Sequence, residues 1–153
     1  MNLLPRLLML GSLLLPAAVQ AQQTAEKSAT YAVATGQAWL DTRLADINHY
    51  AERYPDSFLD ELERYAGVRR GYAQALMENH GWHAADVYFA CFWAKVVEGD
   101  CRTYVRALTH AADPEAGWRG VLQDSEPKPE ARHWRALRSA IDASYQHWDR
   151  PRP

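Results

Sequence analysis

Apolar residues recur along this chain with the spacing of helix faces. From about Gly36 to Tyr54 they fall at Leu40, Leu44, Ile47 and Ala51, with Trp39 and Tyr50 flanking. Steps of three and four are the signature of an amphipathic helix. Pro55 ends that run, and Asp56-Ser57 restarts a helix with an acidic cap. Phe58, Leu62 and Tyr65 share its face, and Gly67 suits its C-terminal turn. A third helix is expected near Arg69 to Glu78, offering Tyr72, Leu76 and Met77 to a core, with Asn79 and Gly81 closing it.

The fourth segment, about Ala84 to Glu98, is apolar all round: Val87-Tyr88-Phe89-Ala90-Cys91-Phe92-Trp93-Ala94. Such a run fits a central helix packed on several sides. A buried strand is the competing reading; length and the flanking alanines favour the helix. Gly99-Asp100 makes a turn, and Cys101 to His110 is a fifth helix with Tyr104, Val105 and Leu108 inward. Asp113-Pro114 breaks the chain. Ala116 to Leu122 forms a short helix carrying Trp118 and Val121. Ser125-Glu126-Pro127-Lys128-Pro129 is a stiff connector. The last helix, about Glu130 to Trp148, aligns Trp134, Leu137, Ile141 and Tyr145. No strand is expected and no repeat is visible. The expected fold is all-α, a single compact domain of about six to seven helices over residues 36–148, with a tail at 149–153 expected to fray.

The front of the chain has a different character. Residues 1–21 read MNLLPRLLMLGSLLLPAAVQA: one arginine, an apolar run from Leu7 to Leu15, a break at Pro16, then Val19 and Ala21 at the small-residue positions before a cut. That is the layout of a secretory signal peptide cleaved after Ala21. The run is too short to span a bilayer, which needs about 20 apolar residues. No cysteine follows the cut and no twin arginine precedes the run, so neither a lipid anchor nor the twin-arginine route is indicated. Residues 22–35 then read as a loose lead-in. The expected location is periplasmic or secreted, with no stable membrane span once the signal is gone.

Export changes how the two cysteines are read. Cys91 and Cys101 both lie behind the cut, and an even count in an oxidising compartment reads as one disulfide. A metal pair or a redox dithiol are the alternatives. The spacing is not CxxC, and metal-binding pairs usually sit closer. In an antiparallel hairpin Cys91 would lie about two turns from Cys101, too far to bond. The pairing therefore favours a helix–turn–helix corner between crossing helices.

Composition narrows function mainly by exclusion. The 153 residues carry 17 Lys and Arg against 19 Asp and Glu, a net charge of −2. Loss of the signal removes one arginine and no acid, leaving −3. Nucleic-acid binding is not expected from an exported chain with that balance. Hydrophobic residues at 48% and charged residues at 24% are globular values. The motifs GxSxG, HExxH and CxxCH are missing, and so is a glycine-rich phosphate loop. No cofactor is implied.

Three clusters remain as candidate chemistry. His80, His83 and Asp86 offer two imidazoles and a carboxylate, a donor set suited to Zn²⁺ or Cu²⁺. Capping competes with that reading. His83 stands where a helix N-cap would be, and Asp86 three residues on can reach back to free backbone N–H groups. The other histidines, His49, His110, His133 and His147, are scattered along helix ends and faces. Seven acids, Asp41, Asp46, Glu52, Asp56, Asp60, Glu61 and Glu63, lie close together with two arginines. A pair of them could do general acid–base work on a glycan, or the segment is a solvated helix face. From Glu126 onward six basic residues face four acids, an asymmetry that could orient a charged partner. Of the 17 aromatic residues, Trp118, Trp134, Tyr145 and Trp148 could form a patch for an envelope protein or glycan; core packing is the simpler account.

Asp86-Val87-Tyr88-Phe89-Ala90-Cys91, then Cys101-Arg102, Gly117-Trp118 with Val121, Lys128-Pro129 and His133 form an order that resembles a group of small exported bacterial helical proteins. That group shows DVYYAC, a second cysteine, a GWG turn and a GIKPGS-like turn. The resemblance spans roughly Trp39 to Trp148. It implies a helical fold and export, and no activity. The chain departs from the pattern at Arg119 and at Ser125 to Glu130. The functional expectation is therefore a non-enzymatic interaction or accessory protein of the bacterial envelope. A small metal-binding protein using His80, His83 and Asp86 and, behind it, a cell-wall hydrolase using a carboxylate pair are the alternatives.

Overall fold

The computed structural model describes residue 31 and residues 33–153. The signal peptide expected at 1–21 and most of the lead-in lie outside the described residues. Among those described there are seven α-helices and no strand: α1 (Ala38–Arg53), α2 (Pro55–Tyr65), α3 (Arg70–His80), α4 (Ala84–Val96), α5 (Cys101–Thr109), α6 (Gly117–Asp124) and α7 (Ala131–His147). One 3₁₀ turn, Pro114–Ala116, leads into α6. No helix among the described residues is long and apolar enough to cross a membrane.

Local chemistry explains most of the boundaries. Pro55 does not merely end α1: it is the first residue of α2, where its missing N–H costs nothing. At the end of α2, Gly67 takes φ +71°, and the N–H of Val68 reaches back to the Leu62 carbonyl at 3.2 Å. That closes the helix in the manner expected of a glycine stop. The short helix expected from Ala116 begins one residue later, because Asp113 Oδ1 accepts the N–H groups of Glu115 and Ala116 and winds that stretch into the 3₁₀ turn.

The all-round apolar segment is the central helix. Every residue of α4 from Ala85 to Ala94 is buried. It packs against α1, α2, α3, α5 and α7. Tyr88, Phe89 and Trp93 are each fully enclosed, and such a side chain contributes about 1.5–3 kcal/mol on burial. Cys91 is bonded to Cys101, the first residue of α5, with Cα atoms 4.3 Å apart. The corner at Gly99-Asp100 is thus covalently closed between two packed helices.

The start of the described chain packs onto the fold. Val33 and Thr35 are buried, so packing begins before position 36. Gly117 has φ +53°, and a Cβ there would meet the Cβ of Ala34 at 3.2 Å. The N–H of Arg119 donates to the Ala34 carbonyl at 2.8 Å. A glycine at 117 lets this strap lie directly against α6. At the other end, Arg150 pairs with Asp46, Arg152 with Asp142 at 3.2 Å, and Arg43 donates to the Pro153 carbonyl, while residues 151–153 are exposed and outside any helix.

Candidate binding cleft

The histidine–carboxylate trio does not assemble. His80 is exposed at the end of α3. The ring of His83 stacks on Tyr31, with centroids 3.6 Å apart. Asp86 is buried on α4, and both its oxygens are engaged: Oδ2 accepts from the Tyr31 hydroxyl at 2.6 Å and Oδ1 from Trp118 Nε1 at 2.8 Å. Its carboxylate also receives the backbone N–H of His83, the reach-back expected of a capping acid. Asn48 of α1 caps α4 too, its Oδ1 accepting from Ala85 N at 2.7 Å. Burial lifts the Asp86 carboxyl above its ordinary range, and the hydrogen bonds from Tyr31, Trp118 and His83 only partly offset that. Among the described residues no three His, Cys, Asp or Glu side chains converge as metal ligands.

The early acids are spread over separate tasks. Asp41 Oδ1 accepts from the N–H and hydroxyl of Thr35 at 3.1 and 2.6 Å. Asp56 and Asp60 share Arg70. Glu63 accepts from Arg70 N, and Glu52 lies 3.8 Å from His49. Asp46 accepts from Tyr145 and Arg150. Burial alone would raise the Asp46 carboxyl, but those two partners outweigh it and hold it below the usual range.

Glu61 is the exception, and sequence reasoning did not separate it from its neighbours. It is 3% exposed. Its Oε1 accepts from Ser144 Oγ at 2.7 Å, and His147 Nδ1 lies 3.0 and 3.1 Å from its two oxygens. Ser144 in turn meets the buried Tyr88 hydroxyl at 2.7 Å. With Glu61 ionised, each donor points one way: Tyr88 O–H to Ser144, Ser144 O–H to Glu61, His147 N–H to Glu61. The order is wrong for a serine–histidine–carboxylate triad, where histidine stands between nucleophile and carboxylate. Here the carboxylate stands between, and Ser144 is wholly enclosed. The network fastens α7 to α2 and α4. A signal was present in the sequence: Ser144 and Glu61 each occupy a core-facing position on an otherwise apolar stripe.

The aromatic residues are largely core. Trp118 and Tyr145 are buried, and Trp134 and Trp148 are partly so. Trp134 lies 4.7 Å from Trp93, and Trp148 stacks on Tyr50 at 4.2 Å. His133 is also internal: its Nδ1 accepts from Glu130 N at 3.2 Å and closes the first turn of α7. The residues that carry the family resemblance are joined to one another, Asp86 to Trp118 and Cys91 to Cys101, and they hold the fold.

Between α5 and α6 is a cleft of about 640 Å³, within the size range of small-molecule sites. Tyr104 and Ala107 of α5 form one wall, and Ala116, Gly120 and Val121 the other. His110, Asp113, Gln123, Asp124, Ser125 and Glu126 line it as well. Sequence reasoning named His110 only as a scattered histidine and missed the cleft, because its walls are small residues that carry no motif. No protein-family model, curated protein or solved structure matches this chain.

Proposed function

We propose that this is an exported, non-enzymatic binding protein of the bacterial envelope, and that the component it meets enters the cleft between α5 and α6. One observation carries the reading. The polar groups around Asp86, Glu61 and Asp46 are committed to holding helices together, whereas the α5–α6 cleft is open and lined by small residues and polar groups together. The disulfide and the lack, among the described residues, of a helix able to cross a membrane are compatible with work outside the cytoplasm.

The test uses the isotope-labelled mature chain, beginning at Gln22 by mass spectrometry, titrated with envelope extract. Amide shifts should cluster on α5 and α6. Ala107→Trp, a change at an exposed position of the wall, should remove them without moving the remaining spectrum. Shifts centred on α2 and α7, or an Ala107→Trp protein that responds like the parent, would overturn the proposal.

A further inference from the structure

One buried donor opens onto a pocket instead of a partner. His133 is 6% exposed. Its Nδ1 accepts from Glu130 N at 3.2 Å, which places the single proton of the neutral ring on Nε2. Trp93 packs edge-on against the same ring, with centroids 6.1 Å apart, so the ring is held from two sides. Nε2–H has no acceptor among the described residues, yet it is not sealed from solvent. His133 lines a pocket of about 330 Å³ between the end of α4 and the start of α7. Val96, Val97 and Ala136 give that pocket apolar lining, and Arg132 and Glu98 bring its charges.

A buried N–H at a concave site calls for a ligand that supplies the acceptor. Arg132 adds donors beside it. Its guanidinium lies 3.1 Å from Glu130 Oε1, a bond that leaves most of its five N–H groups unused. The start of α7 adds a partial positive charge, which Glu130 meets in part by accepting the His133 N–H. Glu98 is exposed and forms no ion pair among the described residues; it is the charge that works against an anion here. An imidazole N–H and a guanidinium on adjacent residues suit the two oxygens of a carboxylate. We propose that this pocket binds a small aliphatic carboxylate, with one oxygen accepting from His133 Nε2 and the other from Arg132, and its alkyl part against Val96, Val97 and Ala136. The apolar lining favours an organic anion over phosphate, whose remaining oxygens would be left without donors. This inference goes beyond the α5–α6 reading and does not depend on it, because the pocket and the cleft share no lining residue.

The probe is butanoate, titrated at matched pH into the mature chain with labelled histidine ring nitrogens, beside butanamide, butylammonium and inorganic phosphate. Butanoate should shift the His133 ring nitrogens and the amides of residues 96–98 and 131–133, and should bind about tenfold more tightly than butanamide or phosphate. Butylammonium should leave His133 unmoved. Arg132→Gln, at an exposed position, should weaken butanoate by about fivefold while butanamide binding stays. Glu98→Gln removes the opposing charge and should tighten butanoate. Ala136→Trp, also at an exposed position, fills the pocket and should abolish the His133 shift with the rest of the spectrum in place. Butanoate that leaves His133 unmoved, or that moves it equally in the Ala136→Trp protein, would overturn the site. Equal binding of butanamide would overturn the carboxylate in favour of a neutral acceptor, and equal binding of phosphate would overturn the preference for an organic anion. Each of these failures is read at α4 and α7, apart from the α5 and α6 shifts that test the cleft.

Discussion

Removing the Asp86 carboxylate by Asp86→Ala leaves two donors without their acceptor, and the two are not equivalent. Trp118 is 1% exposed, so its N–H cannot turn to water, and an unsatisfied buried donor costs about 1–3 kcal/mol. Tyr31 is only partly buried. Its hydroxyl can rotate toward solvent, so its loss belongs at the low end, about 1 kcal/mol. The His83 N–H at the start of α4 also loses its acceptor, worth about 0.5–1 kcal/mol for an exposed-side cap. Asp86→Ala should therefore destabilise by about 2.5–5 kcal/mol, a large share of the 5–15 kcal/mol typical of a domain. Tyr31→Phe alone should cost about 1 kcal/mol, since it removes one donor and keeps the rest. Urea unfolding followed by tryptophan fluorescence measures both, and the double variant measures their coupling. The carboxyl is raised by burial, so the folded state holds its proton to higher pH than the unfolded chain. Its contribution to stability therefore falls as pH rises from the ordinary Asp range through the raised folded value. Asp86→Asn should flatten that slope. A loss below about 1 kcal/mol for Asp86→Ala would refute the claim that this carboxylate anchors the strap, α4 and α6.

Other outcomes follow from the same physics. Ser144→Ala strands the fully buried Tyr88 hydroxyl and takes one bond from Glu61, so it should cost about 2–4 kcal/mol by urea unfolding. Reduction of Cys91–Cys101 reopens a loop of sequence separation 10. It should lower stability by about 2–3 kcal/mol, with two thiols alkylated only after reduction when read by mass spectrometry. Asp46 has the opposite sign to Asp86. Its folded value is depressed, so its contribution is present above the ordinary Asp range and lost as pH falls through the folded value. Asp46→Asn should remove part of the acid limb of the stability profile. His80→Ala, at an exposed helix end, should change stability by less than about 0.5 kcal/mol and leave metal content unchanged.

The sequence by itself determined the helices and their inward faces. Periodicity placed Leu40, Leu44 and Ile47, then Phe58 and Leu62, then Leu137, Ile141 and Tyr145, and all of these are buried. Hydrophobic spacing is a local property of a helix and needs no knowledge of neighbours. The all-round apolar run at 87–94 likewise marked the central helix, and the cysteine pair marked a closed corner. Tertiary structure alone decided which polar residues meet. Tyr31 and Asp86 are 55 positions apart, Glu61 and His147 86 apart; no spacing rule links groups on different elements. It therefore made the candidate metal trio a cap and an anchor, chose Glu61 from seven clustered acids, and drew residues 33–35 onto the fold. The cleft was hidden for the same reason. It arises where α5 and α6 pack together, and its small wall residues look in sequence like any other stretch of helix.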